Sequence, residues 1–203
     1  QDLKDEDYVN SHYVIMATKM GQVKKTSLEQ YSRPRSNGIN AITIKDDDEL
    51  LEAKLTNGNS QIMLAVKSGK AIRFEENKTR PMGRNASGVR GIRLKDNKDE
   101  VVGMISVNDM DANILVVSEN GFGKRSSLED YRLTNRGGKG VKTISITEKT
   151  GKLVTLKSVS DNDDLMIINK SGIAIRMQVE DLRVMGRATQ GVKVISIKEG
   201  DSI

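Results

Sequence analysis

The stretch NILVVSENGFGKRSSLEDYRLTNRGGKGVKTI, residues 113–144, decides the fold. It opens on a run rich in β-branched residues, turns at an Asn-Gly pair, and continues through a short polar segment. A glycine-rich loop and a second β-branched run close it. Short apolar stretches bounded by Gly, Asn, Asp and Ser read as strands and turns. No part sustains a 3.6-residue apolar period over three turns, so the helical expectation is limited to one turn at SLEDY.

The same plan recurs in YVIMATKMGQVKKTSLEQYSRPRSNGINAI, QIMLAVKSGKAIRFEENKTRPMGRNASGVRGI and DLMIINKSGIAIRMQVEDLRVMGRATQGVKVI. An early glycine returns at Gly21, Gly69, Gly121 and Gly172, and a later one at Gly38, Gly88, Gly140 and Gly191. Their separation is 19 residues in three repeats and 17 in the first. In the third repeat the strands are expected at NILVVS, GKRSS, VKTISI and KLVTLKSV, with single helical turns at SLEQY, SLEDY and QVEDL across the repeats. Four-stranded units of about 50 residues read as blades of a propeller-like array. The expectation is an all-β, propeller-like domain over 1–203, with blades at about 11–58, 59–109, 110–161 and 162–203. The fourth strand of the first repeat should begin at Leu50; the same offset in the last repeat is Ile203. QDLK stands where a preceding unit's fourth strand would finish, so the chain reads as cut from a longer array.

Composition narrows the chemistry. Among 203 residues there is no Cys and one His, so disulfides, thiolate metal sites and zinc centres are excluded. No apolar run approaches the roughly 18 residues of a membrane span, and the first ten residues do not form a signal peptide. The expectation is a soluble, intracellular chain. NGFGKRS lacks the glycine that a phosphate-binding loop needs five residues before its Gly-Lys, since Ser118 stands there. After Lys139 the required Ser or Thr is replaced by Gly140. DDDE and DNDDL lack the glycine and closing glutamate of a calcium loop and read as turns. No nucleophile–base pair stands out, so no catalytic residue, metal or cofactor is expected within this chain.

Charge is segregated. Windows from each early glycine to two residues past the later one carry +3, +4, +4 and +2, together +13, while the whole chain carries +5. The cations recur in register. Lys25, Arg73, Arg125 and Arg176 lie four residues after the early glycine; Arg80, Arg132 and Arg183 lie eleven after it, with Arg33 one place further on. Arg84, Arg136 and Arg187 lie four before the later glycine, where the first repeat has Pro34 between Arg33 and Arg35. With Lys24, Lys124, Lys139, Lys142 and Lys193 they should form a basic stripe across successive blades, suited to a polyanion that follows a curved path. Duplex DNA fits better than single strands, because Tyr31, Tyr131, Phe74 and Phe122 read as packing residues rather than base-stacking platforms. An acidic protein partner is the alternative reading.

GQVKKTSLEQY, GFGKRSSLEDY, RPMGRNASGVRGI and VMGRATQGVKVI resemble, in order, the C-terminal domain of DNA gyrase A. The resemblance covers essentially the whole chain. It implies a β-pinwheel, a disc whose blades exchange outer strands with their neighbours, here matching the last four of six. It further implies a module that wraps duplex DNA on its rim in support of ATP-dependent negative supercoiling. Expected partners are double-stranded DNA, the rest of gyrase A and gyrase B, in the bacterial cytoplasm and nucleoid; ATP and Mg belong to the parent assembly. Residues 134–140 match five of seven positions of the family's box motif, Q-R-R-G-G-K-G, with Thr134 and Asn135 at the changed positions. The resemblance thereby marks Arg136, Gly137, Gly138, Lys139 and Gly140 as DNA contacts. The family box normally lies in the first blade, whereas this loop falls in the fifth. The topoisomerase IV counterpart is the close alternative within the group.

Overall fold

The computed structural model describes residues 3–203. Its strands run in chain order as β1 (Tyr13–Thr18), β2 (Gln22–Ser27), β3 (Leu50–Thr56), β4 (Gln61–Val66), β5 (Lys70–Glu75), β6 (Val89–Arg90), β7 (Val101–Val107), β8 (Asn113–Ser118), β9 (Phe122–Ser127) and β10 (Leu133–Thr134). They continue as β11 (Val141–Lys142), β12 (Leu153–Val159), β13 (Asp164–Ile168), β14 (Ala174–Gln178) and β15 (Val192–Lys193). Single 3-10 turns follow β2, β5, β9 and β14, at Leu28–Tyr31, Glu76–Lys78, Leu128–Asp130 and Val179–Asp181. The first, third and fourth fall on the three segments whose sequence predicts a helical turn.

Each of the first three sheets takes its outermost strand from the following repeat. The orders are β3-β1-β2-β6, then β7-β4-β5 with β10 and β11 on β5, then β12-β8-β9-β15, and finally the pair β13-β14. The segment VKTISI is thus not a full strand of its own repeat. Only Val141 and Lys142 pair, opposite Ala71 and Lys70 of the preceding sheet. The chain then crosses the seam, with Thr143 N–H donating to Gly69 O (2.9 Å). β3, β7 and β12 pack side by side on the inner edge, which leaves the donated strands on the outer edge.

The cores lie between sheets rather than within them. Ile15, Ala17 and Val23 meet Ile62, Leu64, Ile72 and Phe74 in one layer. Met63, Ala65 and Ile105 meet Ile114, Val116, Leu128 and Tyr131 in the next, and Leu115 and Val117 meet Val179 and Leu182 in the last. Successive residues of β4 therefore face different neighbours, which is why QIMLAV is a continuous apolar run and not an alternating one.

The registered glycines are docking points. At Gly69 (φ +87°) a Cβ would meet Ile144 O at 2.9 Å and the Ile146 side chain closer still. At Gly140 (φ +71°) it would run into Ala71 O of the preceding repeat. The register equivalents Gly21, Gly121, Gly88 and Gly191 show the same collision with main-chain oxygens. Gly172 and Gly38, which face no following or preceding repeat within this chain, have open space.

At the start, Gln1 and Asp2 lie outside the described residues, and Leu3 and Lys4 form a turn rather than the end of a strand. A short helix not expected from sequence, α1 (Glu6–Ser11), follows. Its Asp5 cap accepts from Tyr8 N–H, and Val9 is buried.

This arrangement predicts unequal effects of the same substitution. Gly172→Ala should cost about 1–2 kcal/mol for the left-handed backbone alone. Gly69→Ala should cost about 1–3 kcal/mol more, from forced overlap at the seam. Urea titrations of the two variants, compared with the unsubstituted chain, check the ranking.

Candidate nucleic-acid interface

The structure sorts the registered cations into three groups. Those of the first face inward across the seams. Lys25, 4% exposed, pairs at 3.2 Å with the fully buried Glu76 of the next repeat and lies over the Tyr13 ring. Glu76 also accepts from Thr56 Oγ1 (2.5 Å) and Ser60 N–H (3.0 Å). Arg73 donates to Leu128 O (3.0 Å) and Tyr131 O (2.9 Å) of the next repeat and to its own Gln61 (2.7 Å). Arg125 donates to Leu182 O and pairs with Asp161. Arg176 meets no following repeat within the chain and pairs, exposed, with Asp164 of its own sheet. One place earlier, Lys24 Nζ donates to Tyr31 OH, Ala41 O and Arg84 O, and Lys124 Nζ to Gly186 O, Arg187 O and Thr189 Oγ1.

Lys24, Lys25, Lys124 and Arg125 therefore do not face the rim, a correction to the expectation that they contact DNA. Periodicity places them correctly in register, but the register position is interior, where cations satisfy carbonyls and a carboxylate of the adjoining repeat. Burial pulls the Lys24 pKa down to about 8, assisted by the Arg84 guanidinium. Burial likewise pulls Lys124 down to about 8, with Asp130 opposing and Arg187 adding to it. Burial also pushes the Tyr131 phenol up to about 12.

The second group reaches backward. Arg84 donates to Asn40 O (2.6 Å), Arg136 to Lys78 O (2.9 Å) and Arg90 O (3.1 Å), and Arg187 to Asp130 O (2.8 Å) and Lys142 O (2.8 Å). In all three, one acceptor is the carbonyl two residues past the preceding repeat's later glycine. The half-buried forks of Arg136 and Arg187 thus fasten each loop onto the strand that the previous repeat has itself donated.

The third group is exposed: Arg33, Arg35, Arg80, Arg132, Arg183, Lys139, Lys142, Lys193 and Arg176. Lys142 and Lys193 sit on β11 and β15 of the outer edge, in register with Arg90 on β6. Lys70, Arg93 and Lys95 are not among the contacts expected from sequence. All three are exposed, and with Lys139 they line a cavity of about 190 Å³. Lys70 and Arg93 have no basic counterpart at the same position of the other repeats, so periodicity gives no sign of them.

In the glycine-rich loop, Gly137 (φ +84°) donates its N–H to Gly91 O (2.7 Å), and Gly138 O accepts from Arg93 N–H (2.8 Å). Gly138 lies over Ile72. Among the described residues no group of three or more His, Asp or Glu side chains could hold a metal ion, and no helix is long and apolar enough to cross a membrane.

A run of strand-donating sheets with cations in register on the outer edge defines a β-propeller of the pinwheel kind. The chain belongs to the family described as DNA gyrase C-terminal domain, beta-propeller, matched over residues 12–57, 61–108, 112–160 and 163–203. It is 46% identical over 197 residues to the DNA gyrase A protein of Chlamydia muridarum, covering 97% of this chain and 24% of that protein. Against the DNA gyrase A protein of Staphylococcus epidermidis it is 43% identical over 204 residues, covering 100% of the chain and 22% of that protein. The chain thus spans about a quarter of the length of these curated relatives. A solved DNA gyrase A C-terminal domain superposes with a TM-score of 0.84 at 25% identity, covering 95% of this chain and 64% of that one. The C-terminal domain of DNA topoisomerase IV gives 0.90 at 26%, covering 97% and 62%.

The buried charges have measurable consequences for stability. Glu76→Gln should destabilise by about 3–5 kcal/mol, because it leaves Lys25 buried without its counter-charge; denaturant unfolding measures it. For Lys124, a folded-state value near 8 lies below the ordinary 10.5, so the unfolded chain binds more protons between those values. That residue's burial cost is present in full below pH 8 and is relieved as pH rises toward 10.5. A Lys124→Met variant should therefore gain less stability than the unsubstituted chain between pH 8 and 10.5, in unfolding measured across that window.

Proposed function

We propose that this chain is a duplex-DNA-binding module of a gyrase-type topoisomerase that bends DNA around its outer edge. The observation that carries the reading is the outer edge itself. The donated strands place Arg90, Lys142 and Lys193 at one register position in successive sheets, and Arg80, Arg132 and Arg183 recur beside the 3-10 turns. All are exposed, and among the described residues none pairs with a carboxylate, so their charge is available to a ligand. Cations repeated along a curved edge neutralise phosphates repeated along a bent duplex. They contact backbone rather than bases, so discrimination between sequences should come from the cost of bending, on the order of 1–6 kcal/mol for tens of base pairs.

In this reading Arg136 and its counterparts Arg84 and Arg187 hold the edge in place, while Lys139 projects from the box-like loop toward DNA. The rest of gyrase A and gyrase B are the protein partners, in the bacterial cytoplasm and on the nucleoid. ATP and Mg are used elsewhere in that assembly, for negative supercoiling that the wrap supports. The fold alone accommodates a topoisomerase IV counterpart equally well, as the TM-score of 0.90 indicates. Identities of 43% and 46% to gyrase A proteins favour the gyrase assignment.

Affinity for duplex DNA should fall with salt at a slope of about −0.9 per phosphate contacted. Replacing Arg80, Arg132 and Arg183 together with Ala should make that slope shallower by about 2.7 and reduce the topological change left in ligated circles. Affinity that is indifferent to salt would overturn the reading.

A further inference from the structure

At each seam the donated strand sets its cation opposite the first residue of the preceding repeat's second strand. The pairs are Gln22 with Arg90, Lys70 with Lys142, and Phe122 with Lys193. Only the middle seam puts two like charges directly across from one another, an arrangement that destabilises a sheet. Neither ammonium has a carboxylate partner among the described residues. The neighbouring acids are engaged elsewhere. Asp99 accepts from Ser68 N–H (3.0 Å), Ser68 Oγ (2.7 Å) and Lys95 N–H (3.0 Å), and Glu100 pairs with Lys67 (3.3 Å). Asp96, exposed, accepts from Lys98 N–H (2.9 Å) and pairs with neither ammonium.

Further cations gather at this pair and outnumber the carboxylates of Asp96 and Asp99 that line the same hollows. Lys70 shares the 190 Å³ cavity with Arg93, Lys95 and Lys139, and it also lines an adjoining groove of about 410 Å³ with Lys95, Lys142 and Lys152. Lys70, Arg93, Lys95, Lys139, Lys142 and Lys152 are all exposed.

We infer that the seam between the second and third repeats is a discrete site for two closely spaced phosphates, seated around the Lys70–Lys142 pair, and that it anchors the duplex on the rim. A bound phosphate turns the cross-strand repulsion into bridging attraction, so the strain of the free protein becomes affinity. The other two seams, with a single cation in the cross-strand pair, hold the duplex more weakly. The assignment of the phosphates to duplex DNA rests on the function proposed above; the phosphate chemistry of the seam does not.

The test uses the chain with Lys70→Gln and Lys142→Gln together, beside a control in which the exposed Lys157 and Lys170 are replaced by Gln. Duplex binding is measured across a salt series, and tripolyphosphate serves as a probe in thermal unfolding. The expected result is a loss of duplex affinity of about tenfold or more for the seam variant, with a slope shallower by about 1.8 and little change in the control. Without ligand the seam variant should unfold no more readily than the unsubstituted chain, since a repulsive pair is removed. A seam variant indistinguishable from the control in affinity and slope overturns the anchor. If the unsubstituted chain binds no duplex, the proposed function fails. The probe then decides the site: stabilisation by tripolyphosphate that the seam variant loses supports it, and no stabilisation overturns it.

Discussion

The close approach of main chain to main chain at the seams is the constraint on which the rest of the structure depends. A donated strand of two residues, such as β11, adds only one or two hydrogen bonds to the preceding sheet, each contributing about 1 kcal/mol net. That cannot hold two repeats together. Burial of Ile144, Leu128 and Tyr131 against Met63, Ala65 and Ala71 can, but only if the chain passes close enough over Gly69 to deliver Ile144 into the layer. The glycines at 69 and 140 make that passage sterically possible from the two sides. Because each apolar layer belongs to two sheets, no repeat has a complete core of its own, and stability is distributed between neighbours.

The same seams decide what the positive charge does. Guanidinium and ammonium groups donate to carbonyl oxygens as well as to phosphates, and the seams offer carbonyls wherever a loop crosses a strand. Lys24, Lys124, Arg125 and Arg73 meet that demand from one side, and Arg84, Arg136 and Arg187 from the other. A net charge summed over sequence therefore overstates the rim. What the rim does gain is rigidity, because the carbonyls held by Arg136 and Arg187 belong to Arg90 and Lys142, whose exposed side chains are carried on fixed strands.

The repeat, the strand class, the turns at the registered glycines and the family were legible in the sequence because each leaves a periodic trace. The direction of a side chain leaves none. Lys25 and Arg80 both recur in register, yet one lies against Glu76 inside a seam and the other is exposed. The buried Glu76, standing where other repeats have Leu28, Leu128 and Val179, is the one trace of that interior position, since an acid among apolar equivalents needs a nearby counter-charge. The ownership of VKTISI was also hidden, because a strand pairs by position in space and not by the repeat that encodes it. The helix α1, only six residues long, is too short for a period to show.

The glycine-rich loop gains its meaning from the residue beneath it. At the first and third seams a lysine, Lys24 or Lys124, reaches up into carbonyls of the following loop. At the middle seam that position is Ile72, and the loop above it has Gly137-Gly138. The Gly138 carbonyl accepts from Arg93 N–H just as Ala86 O accepts from Thr43 N–H and Thr189 O from Ser145 N–H at the other seams, and at the middle seam a bond from Gly137 N–H to Gly91 O ties the loop down where the others add an ammonium. A buried ammonium under it would find fewer acceptors, at a cost of several kcal/mol for an unpaired charge. The apolar residue below and the paired glycines above are two halves of one exchange. Its result is that the seam lacking an interior lysine is the one whose outer face carries Lys139, Arg93, Lys70 and Lys142 together, cation moved from structural use to the surface where a phosphate can reach it.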